Sequence, residues 1–199
     1  MKRLHIAMAL SLVFTIMMSL ACFDAHCDII RSSVLRLHIL ANSDSDRDQS
    51  VKLSVRDRIL SECGELFEYT SDYDEAVKIA KRNVPALQKV AEDQLKKLGC
   101  DYGVRVEVGK SDFNTRDYGE VTLPAGTYTA VRVLLGKANG HNWWCVCFPN
   151  MCIPAASQTD EIGSVLDKED TKIVTSHQKY KMRFKVVEWY DSIKEMLSK

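Results

Sequence analysis

The stretch that most constrains this chain is Thr127 to Cys152, TYTAVRVLLGKANGHNWWCVCFPNMC, in which a short polar link joins two β-rich runs. Thr127–Leu135 and Trp143–Phe148 are rich in Thr, Val, Tyr, Trp and Phe, side chains that suit a pleated, half-buried surface. Between them, Gly136-Lys137-Ala138-Asn139-Gly140 carries turn residues. Asn139-Gly140 tolerates positive φ, so the spacing predicts a hairpin. In the second run Trp143, Cys145 and Cys147 alternate with Trp144, Val146 and Phe148. Both sets are apolar, which predicts a central strand covered on both faces. Pro149 and Pro154 close the run because neither can donate to a ladder.

A chain of 199 residues is long enough for one domain with a real core. Lys+Arg and Asp+Glu stand equal at 27 each, so no net field draws it to nucleic acid or acidic lipid. The N-terminus reads as a separate unit. Met1-Lys2-Arg3 is basic, and Ile6 to Leu20 is uncharged and mostly apolar. Ser19 and Ala21 place small residues at −3 and −1, which predicts a signal peptide over residues 1–21 and an exported protein. An uncleaved anchor is the alternative, although the run falls short of the roughly 20 residues that span a bilayer comfortably. Ser19 sits where a lipobox wants a branched apolar residue, which argues against lipidation of Cys22.

Seven cysteines are many for this length, and export permits disulfides. Cys145 and Cys152 could close a short loop across Pro149. Cys145 and Cys147 lie two apart on one strand face, a poor geometry for pairing with each other. There is no CxxC and no second Cys/His pair at zinc spacing, so neither metal nor cofactor is expected. Most of the thiols read as small buried hydrophobes.

Period and punctuation order the rest. Residues 22–33 read as a tether. Val34–Ala41 alternates as a strand, with Leu35, Leu37, Ile39 and Ala41 on one face. Ser45 caps a helix that runs to about Cys63 and stops at Gly64. Ser71-Asp72 opens a second helix, Pro85 starts a third, and Gly99 ends it. Val104, Val106 and Val108 alternate as a strand, followed by a polar loop from Lys110 to Glu120. Residues 34–154 thus form the core domain, 155–178 a mobile loop, and 179–199 a mainly helical C-terminal segment. The fold class is α+β: a small, mostly antiparallel sheet of about four strands packed with three to four helices.

No constellation names a reaction. His141 lies four residues before Cys145, but four strand residues span roughly 13 Å, too far for a thiol–imidazole contact. Only a histidine from elsewhere, such as His38 or His177, would make Cys145 the nucleophile of a cell-envelope hydrolase. Asp44-Ser45-Asp46-Arg47-Asp48 resembles a calcium loop superficially. Gln49 and Val55 stand where an EF-hand needs Gly and Glu, so helix capping explains the acids. Trp143-Trp144 fits a wall-binding platform, an interface anchor, or plain alternation that buries one ring and half-exposes its neighbour.

Three segments are similar to one family. They are Leu35 to Ser45 (LRLHILANSDS) with Val55-Arg56-Asp57, then Leu123 to Tyr128 (LPAGTY), then Gly140 to Pro149 (GHNWWCVCFP). Together they resemble stage II sporulation protein R of endospore-forming bacteria, from about Val34 to Cys152. The resemblance implies an exported signalling protein and not an enzyme. Such proteins pass from the forespore into the space between the forespore and mother-cell membranes. There they trigger a membrane-embedded aspartic protease of the mother cell that removes the pro-sequence of sigma factor E. The implied partner is that protease, with no nucleic acid and no small-molecule substrate. The matching positions Arg36, Asn42, Asp44, Arg56, Asp57, Asn142 and Trp143 are expected to contact the partner or support the motif, with Cys145–Cys152 as a candidate disulfide. Cys147 stands where a plain apolar residue is expected.

Overall fold

Strand β1, Leu35–Leu40, organises the molecule because it lies between the two runs expected to form a hairpin. The computed structural model describes residues 2–67, 69–149, 162–176, 180, 183–189 and 196. Its elements begin with α1 (Lys2–Ser33), β1, α2 (Asp46–Phe67), α3 (Tyr73–Arg82), α4 (Val84–Lys97) and β2 (Val104–Phe113). They continue with β3 (Arg116–Asp117), β4 (Thr122–Leu123), β5 (Gly126–Leu135), β6 (Asn142–Phe148) and α5 (Lys168–Thr175), and residues 183–189 are helical.

The main sheet has the order β2-β5-β1-β6. β5 pairs antiparallel with β2 and parallel with β1, and β6 pairs antiparallel with β1 alone. The fold is α+β with a mixed four-stranded sheet, and β3–β4 form a separate two-stranded ribbon. The expected hairpin is corrected: β5 and β6 flank β1 and do not touch as neighbours in the ladder. The link from Gly136 to His141 crosses one strand, about 10 Å between outer strands, which six residues span easily. Its backbone bonds go to the residues after β1, from Gly140 N to Ala41 O (2.9 Å), and not to itself as in a hairpin turn. β6 is therefore an edge strand, although from Cys145 to Phe148 the side chains of both its faces are buried.

The alternation on β1 was legible and divides the interior into two clusters. Leu35, Leu37 and Ile39 face α2, α3 and α4, where they meet Val55, Ile59, Leu87 and Leu95. Each such buried aliphatic side chain contributes about 1.5–3 kcal/mol. The opposite face carries Arg36 and His38 and is covered in part by Phe23, Cys27 and Ile30 of α1, by the ribbon, and by Ile173, Val174, Phe184 and Val187. A register shift at Leu35/Arg36 moves Phe148 out of the expected alternation. Phe148 therefore packs on the helix-covered side, edge-on to Phe67.

Other expectations change where packing overrides local signals. α2 passes through Gly64 to Phe67 because Cys63 and Phe67 are both buried against the sheet. β2 runs on to Phe113, so the polar loop expected from Lys110 is shorter. The expected tether, residues 22–33, is the last third of α1 and contributes three core residues. Within the segment expected as a loop, Asp167 accepts from Asp170 N (2.8 Å) and caps α5. Residues 155–161, 177 and 178 of that segment lie outside the described residues.

Candidate functional site

The pairing directions decide what meets. Since β1 and β5 are parallel, their C-terminal ends lie together, and the antiparallel β6 brings its N-terminal end to the same edge. The turn after β1 and the link before β6 consequently join in one network. Asn42 Nδ2 donates to Asp48 Oδ2 (2.9 Å), while its Oδ1 accepts from the Lys137 backbone N–H (2.9 Å). Asp44 Oδ1 accepts from the His141 backbone N–H (2.5 Å) and lies 2.5 Å from His141 Nδ1. The His141 N–H, and then its ring, hold the Asp44 carboxyl below the usual value. A Cβ on Gly140 would stand 2.2 Å from Ser43 O, so the approach of the two loops requires glycine there.

Asp48 is the buried hub. Ser43 Oγ donates to its Oδ2 (2.5 Å) and Tyr102 OH to its Oδ1 (2.8 Å). The Ser43 hydroxyl, with Asn42 and Tyr102, lowers the Asp48 pKa against the opposing effect of burial. Burial and the bond to Asp48 push the Tyr102 phenol well above its ordinary value. Lys52 Nζ donates to His141 O (3.0 Å), and burial lowers its pKa despite the Asp44 charge. Sequence reasoning explained Asp48 by helix capping and missed Lys52 and Tyr102. Tyr102 is 54 residues from Asp48, and no spacing signals that meeting.

Further along α2, the Arg56 guanidinium carbon lies 4.4 Å from the Trp143 ring centroid, and Arg56 pairs with Asp57 (2.6 Å). Trp143 is half-buried on the helix-covered side. Trp144 lies on the opposite face of β6, stacked with His38 (ring centroids 5.7 Å apart) and with the Arg116 guanidinium 4.0 Å away. The two indoles therefore do not form one platform. Asn142 starts β6 beside Leu40, and its buried Oδ1 has no hydrogen-bond partner.

Arg36 lies elsewhere. It is fully buried, 4.0 Å from the Phe113 centroid and 4.7 Å from that of Tyr128, and its Nη2 donates to Tyr118 OH. Its Nε and Nη1 have no partner, and among the described residues no carboxylate pairs with it. The rings stabilise the cation in part through their negative faces. Burial means that Arg36 presents nothing to a docking partner and supports the interior. The LPAGTY segment belongs to this end: Tyr128 OH donates to Pro124 O (2.6 Å), and Arg31 Nε of α1 donates to Ala125 O (2.8 Å).

Cys145 is disulfide-bonded and faces the helices, while Cys152, its expected partner, lies outside the described residues. Cys22, Cys63, Cys100 and Cys147 are free. Cys147 is more than the expected filler. Its sulfur lies 3.4 Å from Cys63 Sγ, and that thiol contact together with burial raises its pKa well above the ordinary value. A second polar pair, His26 Nδ1 and Asp170 Oδ1 (2.7 Å), fastens α1 to α5. The Cys22 thiol one turn earlier is exposed and makes no hydrogen bond to that ring among the described residues. No group of three or more His, Cys, Asp or Glu among the described residues is placed to hold a metal.

Residues 31–158 match the family described as stage II sporulation protein R. A protein of that name from Bacillus subtilis (strain 168) is 35% identical over 144 residues, covering 72% of this chain and 64% of the relative. The chain thus spans a little under two thirds of that relative's length. No solved structure matches. The match takes in β1, the network at its end, LPAGTY and β6, and the chain belongs to the stage II sporulation protein R family.

Proposed function

We propose that this chain is an exported sporulation signal. It docks on the extracytoplasmic part of a membrane-embedded aspartic protease of the mother cell and favours its active state, which drives maturation of sigma factor E. Such a signal must bind the active state more tightly than the inactive one, since equal binding shifts no equilibrium. Family membership supports the reading. The observation that carries it is the use of the motif residues. Asn42 and Asp44 rigidify two joined loops, and Arg56, Asp57 and Trp143 form a stacked surface group beside them. We infer export from α1, whose first two thirds are apolar and exposed and suit a signal peptide or an anchor.

The hydrolase reading loses its nucleophile, because Cys145 is in a disulfide and His38 lies on the other face of the sheet. A wall-binding platform is weakened by the opposed indoles of Trp143 and Trp144. Co-expression of the exported chain with the protease and the sigma-factor precursor in a non-sporulating host tests the proposal. Processing above the control lacking this chain is expected, and its absence would reject the reading.

A further inference from the structure

Among the described residues, the sheet face opposite α2–α4 is covered at one end. Toward the C-terminal end of β1 it lies open: Arg132 and Glu107 are about a third exposed, at 30% and 40%, and Leu40, Leu134 and Trp144 are half-buried. The register sets these side chains in adjacent rows, with His38 between Arg132 and Trp144 and Leu40 between Leu134 and Asn142. Arg116 of the ribbon lies over Trp144.

This patch holds more donors than acceptors. His38 is 8% exposed, and its Nδ1 lies 3.2 Å from Ser111 Oγ while its Nε2 makes no well-aligned hydrogen bond, although the Asn142 side chain is close enough to favour its protonated form. Arg132 Nε, Arg116 Nε and Trp144 Nε1 are also buried without partners. Glu107 balances Arg132 through one 2.6 Å contact with Nη1, and among the described residues no carboxylate pairs with Arg116. Buried donors without acceptors cost free energy that an arriving acceptor recovers. Arg116 is held over the indole by stacking, so an incoming carboxylate can draw it away and uncover Trp144 and His38.

We propose that this open half-face is a docking surface for an acidic segment of a partner protein, with Arg116 and Arg132 receiving carboxylates and Leu40, Leu134 and Trp144 providing the apolar floor. The inference deepens the reading of the chain as a protein-binding signal and rests on it. The choice of an acidic occupant follows from charge: among the described residues Arg105 and Arg132 share one carboxylate, Glu107, and no ion pair engages Arg116.

The test uses the full chain in non-ionic detergent and a fluorescein-labelled hexaglutamate peptide, with hexaglutamine as the neutral control. Anisotropy should rise with hexaglutamate only. The double variant Arg116→Gln/Arg132→Gln should bind at least about tenfold more weakly, as expected for removal of both cationic partners. Lys81→Gln/Arg82→Gln removes the same charge from exposed positions on α3 and should stay within about twofold, because remote exposed charges act weakly through salt. Equal weakening by both double variants, or no binding of hexaglutamate, would overturn the inference. Running the same variants in the co-expression assay separates the two claims. Processing by the wild type without site-specific peptide binding refutes this surface and leaves the signalling reading standing. Site-specific binding without processing keeps the surface and removes that reading.

Discussion

The two faces of β1 solve the burial problem differently. Leu35, Leu37 and Ile39 enter an apolar layer closed by three helices, and one residue away Arg36 and His38 enter a layer of aromatic rings and orphaned nitrogen atoms. The first face gains stability from area alone. The second holds a cation away from water and repays that only in part through the rings of Phe113, Tyr118 and Tyr128. A surface that leaves hydrogen-bonding capacity unspent is suited to a partner, whereas a saturated one is suited to holding the fold.

Substitutions on adjacent residues put this comparison at risk most directly. Leu37→Ala on the helix-covered face should cost about 2–5 kcal/mol through lost transfer energy and the cavity left behind, read as a fall in Tm. A loss below about 1 kcal/mol would mean that this layer is not close-packed. Next in size is Gly140→Ala, whose Cβ meets the Ser43 carbonyl and should destabilise by about 1–3 kcal/mol as the joined loops are forced apart. An unchanged melting curve would show that the loop junction is not rigid.

Acid should then separate the network from the rest. Asp48 has a folded-state pKa below its unfolded value, so its contribution is present above about pH 4 and is lost as the pH falls through the folded value. Tm should drop over that window in the wild type and drop less in Asp48→Asn, which has no such proton to take up. Identical pH profiles would refute the role of Asp48 as hub. The one effect opposite in sign belongs to Arg36→Met. Replacing a buried unpaired cation with an apolar chain of similar length should be neutral or stabilising by about 1–4 kcal/mol. A marked loss of stability would show that the three rings more than offset desolvation, and the two faces would then differ less than claimed.

Much of the fold was legible because burial leaves a period. The alternation of β1, the caps at Ser45 and Asp72, and Pro85 at the start of α4 all stand where local chemistry puts them. The hairpin did not survive, because turn residues specify that a chain can reverse but not which strand it then joins. Gly64 failed as a helix stop because Cys63 and Phe67 have a core to fill. At the candidate site, Asn42, Asp44, Arg56 and Trp143 were marked through resemblance, yet their roles were not. Arg36 gave no sign that it is interior, since an arginine within a strand reads as solvated.

The order of residues by itself determined the kinds of element, the apolar face of each, the apolar leader and the family signature. These are local properties, set by side chains a few positions apart. Only the tertiary structure decided that β1 enters between β5 and β6, that Tyr102 reaches Asp48, and that Arg36 is sealed among rings while Arg116 and Arg132 remain near solvent. Those outcomes depend on which distant segments close against one another, a choice made by the total burial of the sheet and not by any short run of residues.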